Sequence, residues 1–275
     1  HHLSHLAGTA DAPDWSAPSF QPWRIDSRQL LNPGSAGAPA YLLSLVPVDG
    51  PLPAWEAGDL VQVSPPSDPG QPREYSIASV PADGRLELLV RLHLHEDGSR
   101  GAASGWLCEG AGDADTVALR VRQHSRFRLG ANASRPLILI GNGTGIAGLR
   151  SHLRARIALG EKRNWLLFGE RNATTDNFFG AEIEGWRRDG HIERVDFAFS
   201  RDGAGPRYVQ DALAMRAHDV SAWIDQGAAV YVCGSLQGMA AGVNAALLDA
   251  IGADRLEALA AEYRQRDELC ARLCA

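Results

Sequence analysis

Two textures of hydrophobic and polar positions divide the chain. From Trp23 to about Gly130 the apolar residues come in short runs with partial alternation, Tyr41 to Val46 and Leu86 to Leu92 being the clearest. Turn formers such as Asn32-Pro33-Gly34 and Asp83-Gly84 bound them. Short strands at this spacing predict an antiparallel β-barrel or sandwich. Within this half, Ser104 to Cys108 predicts a short helix with Ser104 as its N-cap. From Arg135 onward the runs become continuous and alternate with helical patterns. Pro136 to Ile140, Trp165 to Phe168, Val195 to Phe199 and Ala228 to Val232 read as strands, and Ile146 to Leu159 as a helix. Strand alternating with helix predicts a doubly wound parallel sheet. The division is therefore 1–22 as a linker or tail, 23–132 as a β-barrel domain and 133–275 as an α/β domain. The first 22 residues mix Ala, Pro, Ser, Asp and His without a period, and their place suggests a further segment upstream.

Composition narrows this picture. A chain of 275 residues with 45 % hydrophobic content has material for two cores. The net charge of −6 argues against nucleic acid as a partner. Cys108, Cys233, Cys270 and Cys274 form no spaced pair of pairs, so neither a zinc site nor a disulfide framework is expected. That usage points to a reducing compartment. No apolar run reaches the ~18 residues of a membrane span, and no secretory signal pattern opens the sequence. A cytoplasmic protein is the expectation.

Four constellations carry chemistry. Gly141-Asn142-Gly143-Thr144-Gly145 follows a predicted strand and opens a predicted helix. Small residues admit a ligand close to the backbone, and the helix N-terminus offers N–H groups and partial positive charge to phosphate. The plainer alternative is a strand–helix turn that is merely tight. Arg73-Glu74-Tyr75-Ser76 lies in the β half, where an ordinary strand is the alternative. Ser200-Arg201-Asp202 ends the third strand of the α/β half, where ligands of open sheets bind. A hydroxyl beside a guanidinium suits a 2′-phosphate, and a solvated turn is the alternative. Tyr208 could stack on an adenine, with Gln210 hydrogen-bonding nearby. Cys233, in Tyr231-Val232-Cys233-Gly234-Ser235, ends a strand at the edge bearing the glycine loop, and a buried structural cysteine is the alternative.

In this order the four resemble the ferredoxin–NADP reductase superfamily, with a nearer likeness to the reductase modules of diflavin enzymes such as the sulfite reductase flavoprotein. The likeness covers roughly Trp23 to Asp267. It implies a FAD-binding barrel followed by a NADP-binding α/β domain, and hydride transfer from NADPH to FAD. By that resemblance Arg73 pairs with the FAD pyrophosphate, Tyr75 packs on the isoalloxazine and Ser76 bonds near its N5. Gly101, Ala102, Ala103 and Ser104 hold the pyrophosphate. Gly141, Gly143, Thr144 and Gly145 form the nicotinamide and phosphate loop. Ser200 and Arg201 take the 2′-phosphate, and Tyr208 and Gln210 the adenosine end. Ser76, Cys233 and Asp267 are the implied catalytic set, and no metal is implied. The implied acceptor is an FMN domain, a flavodoxin or a ferredoxin-type protein. A ferric or quinone reductase, or a nucleotide-binding relative without turnover, are the alternatives on the same scaffold.

The sequence departs from the family in three places. Ala147-Gly148-Leu149-Arg150 stands where Ala-Pro-Phe-Arg is usual, which predicts a looser nucleotide loop. After Asp267 the usual flavin-covering aromatic is missing. The large helical insertion of many diflavin enzymes is absent between Leu60 and Arg73, as is a flavodoxin-like FMN domain.

Overall fold

A computed structural model describes residues 18–262. The first half is six strands: β1 (Gln21–Leu30), β2 (Ala40–Pro47), β3 (Leu60–Ser64), β4 (Arg73–Ser76), β5 (Leu86–Arg91) and β6 (Val117–Arg122). They hydrogen-bond in the order β4-β3-β6-β1-β2-β5, every pairing antiparallel. An antiparallel bridge between Ile77 and Leu88, with Ala78 N–H donating to Glu87 O at 2.8 Å, brings the two edges together as a barrel. Trp23, Leu43, Leu45, Val61, Val63, Ile77, Leu86, Leu88, Val90 and Leu119 fill its interior. β1 begins at Gln21 because Gln21 and Pro22 face Leu119 and Ala118 of β6.

The helix expected from Ser104 starts earlier. It is α1 (Ala102–Gly105) with Gly101 at its N-cap, followed by one wide turn, Trp106–Gly110. Ser104 is not the cap. It is buried, and its Oγ accepts the His93 N–H at 3.0 Å. That amide lies just beyond β5 and needs an acceptor, which the serine supplies from inside the helix.

The second half runs β7 (Leu137–Asn142), α2 (Ile146–Ala158), β8 (Asn164–Glu170), α3 (Ala173–Asp176), α4 (Gly180–Arg188), β9 (Arg194–Phe199), α5 (Val209–Met215), α6 (Ala217–Asp225), β10 (Ala229–Cys233) and α7 (Ala241–Ile251), with further helix over 253–262. The sheet order is β10-β7-β8-β9, all parallel. Alternate residues of β7 go to opposite faces, as strand geometry requires. Leu137 and Leu139 pack with Leu149, Leu153 and Ile183. Ile138 and Ile140 pack with Val209, Leu213, Val220, Trp223 and Val243. Helices cover both faces, which is why β7 and β8 read as unbroken apolar runs.

The halves share a core, since Ala40, Ala78 and Leu89 of the barrel join the cluster of α2 and the sheet. Polar ties reinforce it. The Asp176 carboxylate accepts from Ser35 Oγ at 2.7 Å and Asn32 Nδ2 at 3.4 Å, and Arg91 pairs with Glu170.

Candidate functional site

Parallel strands put all their carboxyl ends on one edge, and here that edge meets the barrel. A cleft of about 1870 Å³ lies between them, lined from the barrel side by Ser76, Arg91 and the 122–127 segment. The ends of β7, β8, β9 and β10 supply the opposite wall. Sites for single small molecules commonly measure ~300–1,000 Å³, so there is room for more than one.

The strand order reverses between β7 and β10, the position where open sheets bind ligands. Gly141 pairs directly with Cys233. A Cβ on Gly145 would lie 2.6 Å from the Cys233 carbonyl carbon and 2.8 Å from Gly234 Cα, so only glycine lets the loop pass this close to β10. Gly143 takes the left-handed conformation, φ 56°. Asn142 Oδ1 accepts the Ser235 N–H at 2.9 Å, tying the two strand ends. The loop forms one tight turn, Gly143–Gly145, and runs straight into α2, whose N-terminus points its partial positive charge at the cleft.

Ser76 reaches this point from the barrel. Burial pushes the Cys233 thiol up to about 11, and the hydrogen bond from the Ser76 hydroxyl opposes the rise. Cys233 is thus a neutral thiol near pH 7. Gly148 sits behind the pair. A Cβ there would fall 3.5 Å from Cys233 Sγ, 3.5 Å from Ser76 Cβ and 3.4 Å from Phe127 Cε1. Three distant stretches of sequence therefore converge on one spot.

The far end of the cleft is cationic. The β8–β9 pairing continues past the strands, Ser200 N–H to Glu170 O at 2.9 Å and Arg201 N–H to Arg171 O at 2.8 Å. Arg171, Ser200, Arg207, Tyr208 and Gln210 line the wall, and Arg201 is exposed just outside it. Among the described residues, no carboxylate pairs with Arg171, Arg201 or Arg207, whereas neighbours such as Arg91 and Arg216 are held by Glu170 and Asp196. The Arg207 guanidinium lies 5.3 Å from the Tyr208 ring centre. Sequence reasoning missed Arg171 and Arg207. The strand-end rule that singled out Arg201 applies equally to Arg171, one residue past β8.

Alternation along β4 separates the barrel residues. Ser76 faces the cleft, while Tyr75 packs onto the barrel core, where burial raises its phenol. Arg73 engages the Gln71 carbonyl and Asp68. Gly101 and Ala102 line a second, shallower depression of about 380 Å³ with Pro66, Ser67 and Trp106. Ala103 is buried, and Ser104 is taken by His93. Asp267 lies outside the described residues. Among the described residues, no helix is long and apolar enough to cross a membrane, and no cluster of three metal-ligating side chains occurs.

Comparison with known proteins agrees with this architecture. The family model for the oxidoreductase NAD-binding domain matches residues 139–245. The sulfite reductase [NADPH] flavoprotein alpha-component of Mannheimia succiniciproducens is 40 % identical over 190 residues, 66 % of this chain and 32 % of that protein. Its counterpart from Neisseria meningitidis serogroup B is 39 % identical over 202 residues, 70 % of this chain and 33 % of that protein. This chain thus spans about a third of the length of these relatives. A solved structure of the H286L mutant of ferredoxin-NADP+ reductase from Plasmodium falciparum, with 2′P-AMP, superposes with a TM-score of 0.70 at 21 % identity, covering 83 % of this chain and 90 % of that one. That likeness establishes the shared fold of barrel followed by α/β sheet. Residues 139–245 thus belong to the oxidoreductase NAD-binding domain family, in a chain that has the barrel-and-sheet fold of the ferredoxin-NADP+ reductase structure and about 40 % identity with one third of the sulfite reductase flavoproteins.

Proposed function

We propose that this chain binds FAD along the barrel and NADPH along the α/β edge, and acts as an NADPH-dependent flavin reductase module. One observation carries the reading. The glycine loop at the strand-order reversal packs on the Cys233 end of β10, and Gly148 in the first turn of the helix it opens packs behind Ser76 of the barrel and the Cys233 thiol, so a nucleotide on the loop and a flavin on the barrel would meet there. The glycine cradle and the unpaired guanidiniums fit a phosphorylated dinucleotide. When bound, NADPH and FAD supply the two-electron hydride couple, and the protein supplies placement.

The chain's own groups have limited tasks. Gly141 to Gly145, with the N-terminus of α2, would hold pyrophosphate, and Thr144 would stand beside the nicotinamide. Ser76 and the neutral Cys233 thiol would present dipoles to the reacting atoms without giving up a proton. Ser200, Arg201, Arg171 and Arg207 would bind the 2′-phosphate, and Tyr208 and Gln210 the adenosine. Arg73, Gly101 and Ala102 would hold the FAD pyrophosphate. Electrons would leave to a one-electron carrier, namely an FMN domain, a flavodoxin or a ferredoxin-type protein.

The 2′-phosphate assignment has a direct test. A charge-assisted contact contributes about 1.5–3 kcal/mol, so Arg207→Ala should weaken NADPH about tenfold or more and leave NADH unchanged, and Arg201→Ala should act the same way. Equal losses for both nucleotides, measured by titration, would remove these arginines from the role.

A further inference from the structure

Arg150 is buried in the first half of α2, facing the barrel. Its Nε and Nη2 donate to the two carboxylate oxygens of Glu182 on α4, at 2.6 and 3.1 Å. Its Nη1 donates to Glu87 Oε2 at 2.8 Å and to the Ala78 carbonyl at 2.9 Å, both in the barrel. The Phe179 ring lies 4.7 Å away and covers one side. This guanidinium is spent on the protein itself and has no donor aimed into the cleft.

The contacts extend into a circuit of alternating charge. Arg85 pairs with Glu87, Glu87 with Arg150, Arg150 with Glu182, Glu182 with Arg154, and Arg154 with Asp83. The circuit starts and ends in the 83–87 turn of the barrel and passes through α2 and α4 between. Its centre lies one step behind the reactive point. Arg150 is two residues from Gly148, Ala78 is two residues from Ser76, and Gly148 abuts Ser76 and Cys233.

We propose that Arg150 is a positioning residue. It fixes the strand end that carries Ser76 against the helix that carries the glycine loop, and so sets the separation between flavin and nicotinamide without touching either. This rests on the reductase reading. Lysine cannot replace it, because a point charge cannot serve a bidentate carboxylate, a second carboxylate and a carbonyl together. A misplacement of about 1 Å at a reacting pair can lower a rate by ~100-fold.

The test compares the unsubstituted chain with Arg150→Lys and Glu87→Gln. Amide hydrogen exchange over residues 76–79, in cofactor-free protein, should be faster in both variants while β2 and β6 keep their protection. In FAD-loaded protein, the limiting rate of flavin bleaching by NADPH should fall by roughly 10–100-fold in Arg150→Lys, less in Glu87→Gln, with NADP+ affinity within about twofold of the unsubstituted chain. Unchanged exchange together with an unchanged limiting rate overturns the proposal, as does a rate loss matched by an equal affinity loss. If Arg150→Lys does not fold, Glu87→Gln decides by the same two readouts. An unsubstituted chain that never bleaches would instead overturn the reductase reading, and the exchange result would still decide whether Arg150 fixes the strand end.

Discussion

At the residue scale the site turns on side chains kept neutral or kept unpaired. Cys233 is the neutral one. Its thiol is raised from 9.0 to about 11 by burial, so burying it in the uncharged form stabilises the fold below pH 9, and that contribution is lost as pH climbs through about 11. Alkylation follows the thiolate. Cys233 should therefore react with iodoacetamide about 100-fold more slowly at pH 7.5 than a thiol titrating at 9, with a rate that climbs toward pH 11. A rate plateau reached by pH 9 would contradict this burial. Arg171, Arg201 and Arg207 are the unpaired ones. Strand ends singled out Cys233 and Arg201 in the sequence, and Ser76 entered through the resemblance of Arg73-Glu74-Tyr75-Ser76 to a flavin-binding motif. The hydrogen bond between Ser76 and Cys233 was not, because it depends on how the barrel docks. Arg171 was hidden in Glu170-Arg171-Asn172, which reads as ordinary polar surface. Arg207 was hidden beside Tyr208, which drew the attention to stacking.

At the element scale, the strands with continuous apolar runs, β2, β5 and β7 to β10, were legible, and β1, β3 and β6 were not individually so. β1 exposes most of its residues and buries Trp23 alone. It is a strand because β2 and β6 pair with it on either side, a tertiary cause that leaves little local pattern. Ser104 misled for a similar reason, its hydroxyl serving His93 rather than a helix end. Gly148 was expected to loosen the nucleotide loop. Its carbonyl accepts from Ser151 Oγ at 2.8 Å and lies 2.9 Å from His152 Nδ1, both in the next turn of α2. The space around its missing Cβ is ordinary contact distance. Gly148→Ala should therefore stabilise the protein by about 0.5–1 kcal/mol through helix propensity and leave flavin retention unchanged. Gly145→Ala should do the opposite, since its Cβ meets the backbone of β10, costing about 1–3 kcal/mol from overpacking. Thermal melts of both variants separate the two, and a Gly145→Ala melt at or above that of the unsubstituted chain would refute the close approach.

At the scale of the whole molecule, the order of a barrel followed by a doubly wound sheet was legible from the change of hydrophobic period near Gly130. The docking was not, because the residues that join the halves, Asn32, Ser35, Asp83, Glu87, Arg91 and Arg150, are polar and lie far apart in sequence. Docking makes the cleft, and the cleft makes the proposed chemistry. The visible spectrum tests that chemistry most directly, recorded after the chain is mixed with FAD, desalted, and treated anaerobically with NADPH or NADH. Retained flavin that bleaches, faster with NADPH than with NADH, is the predicted result. A chain that keeps no flavin after desalting, or whose flavin stays oxidised with both nucleotides, would contradict the proposed activity.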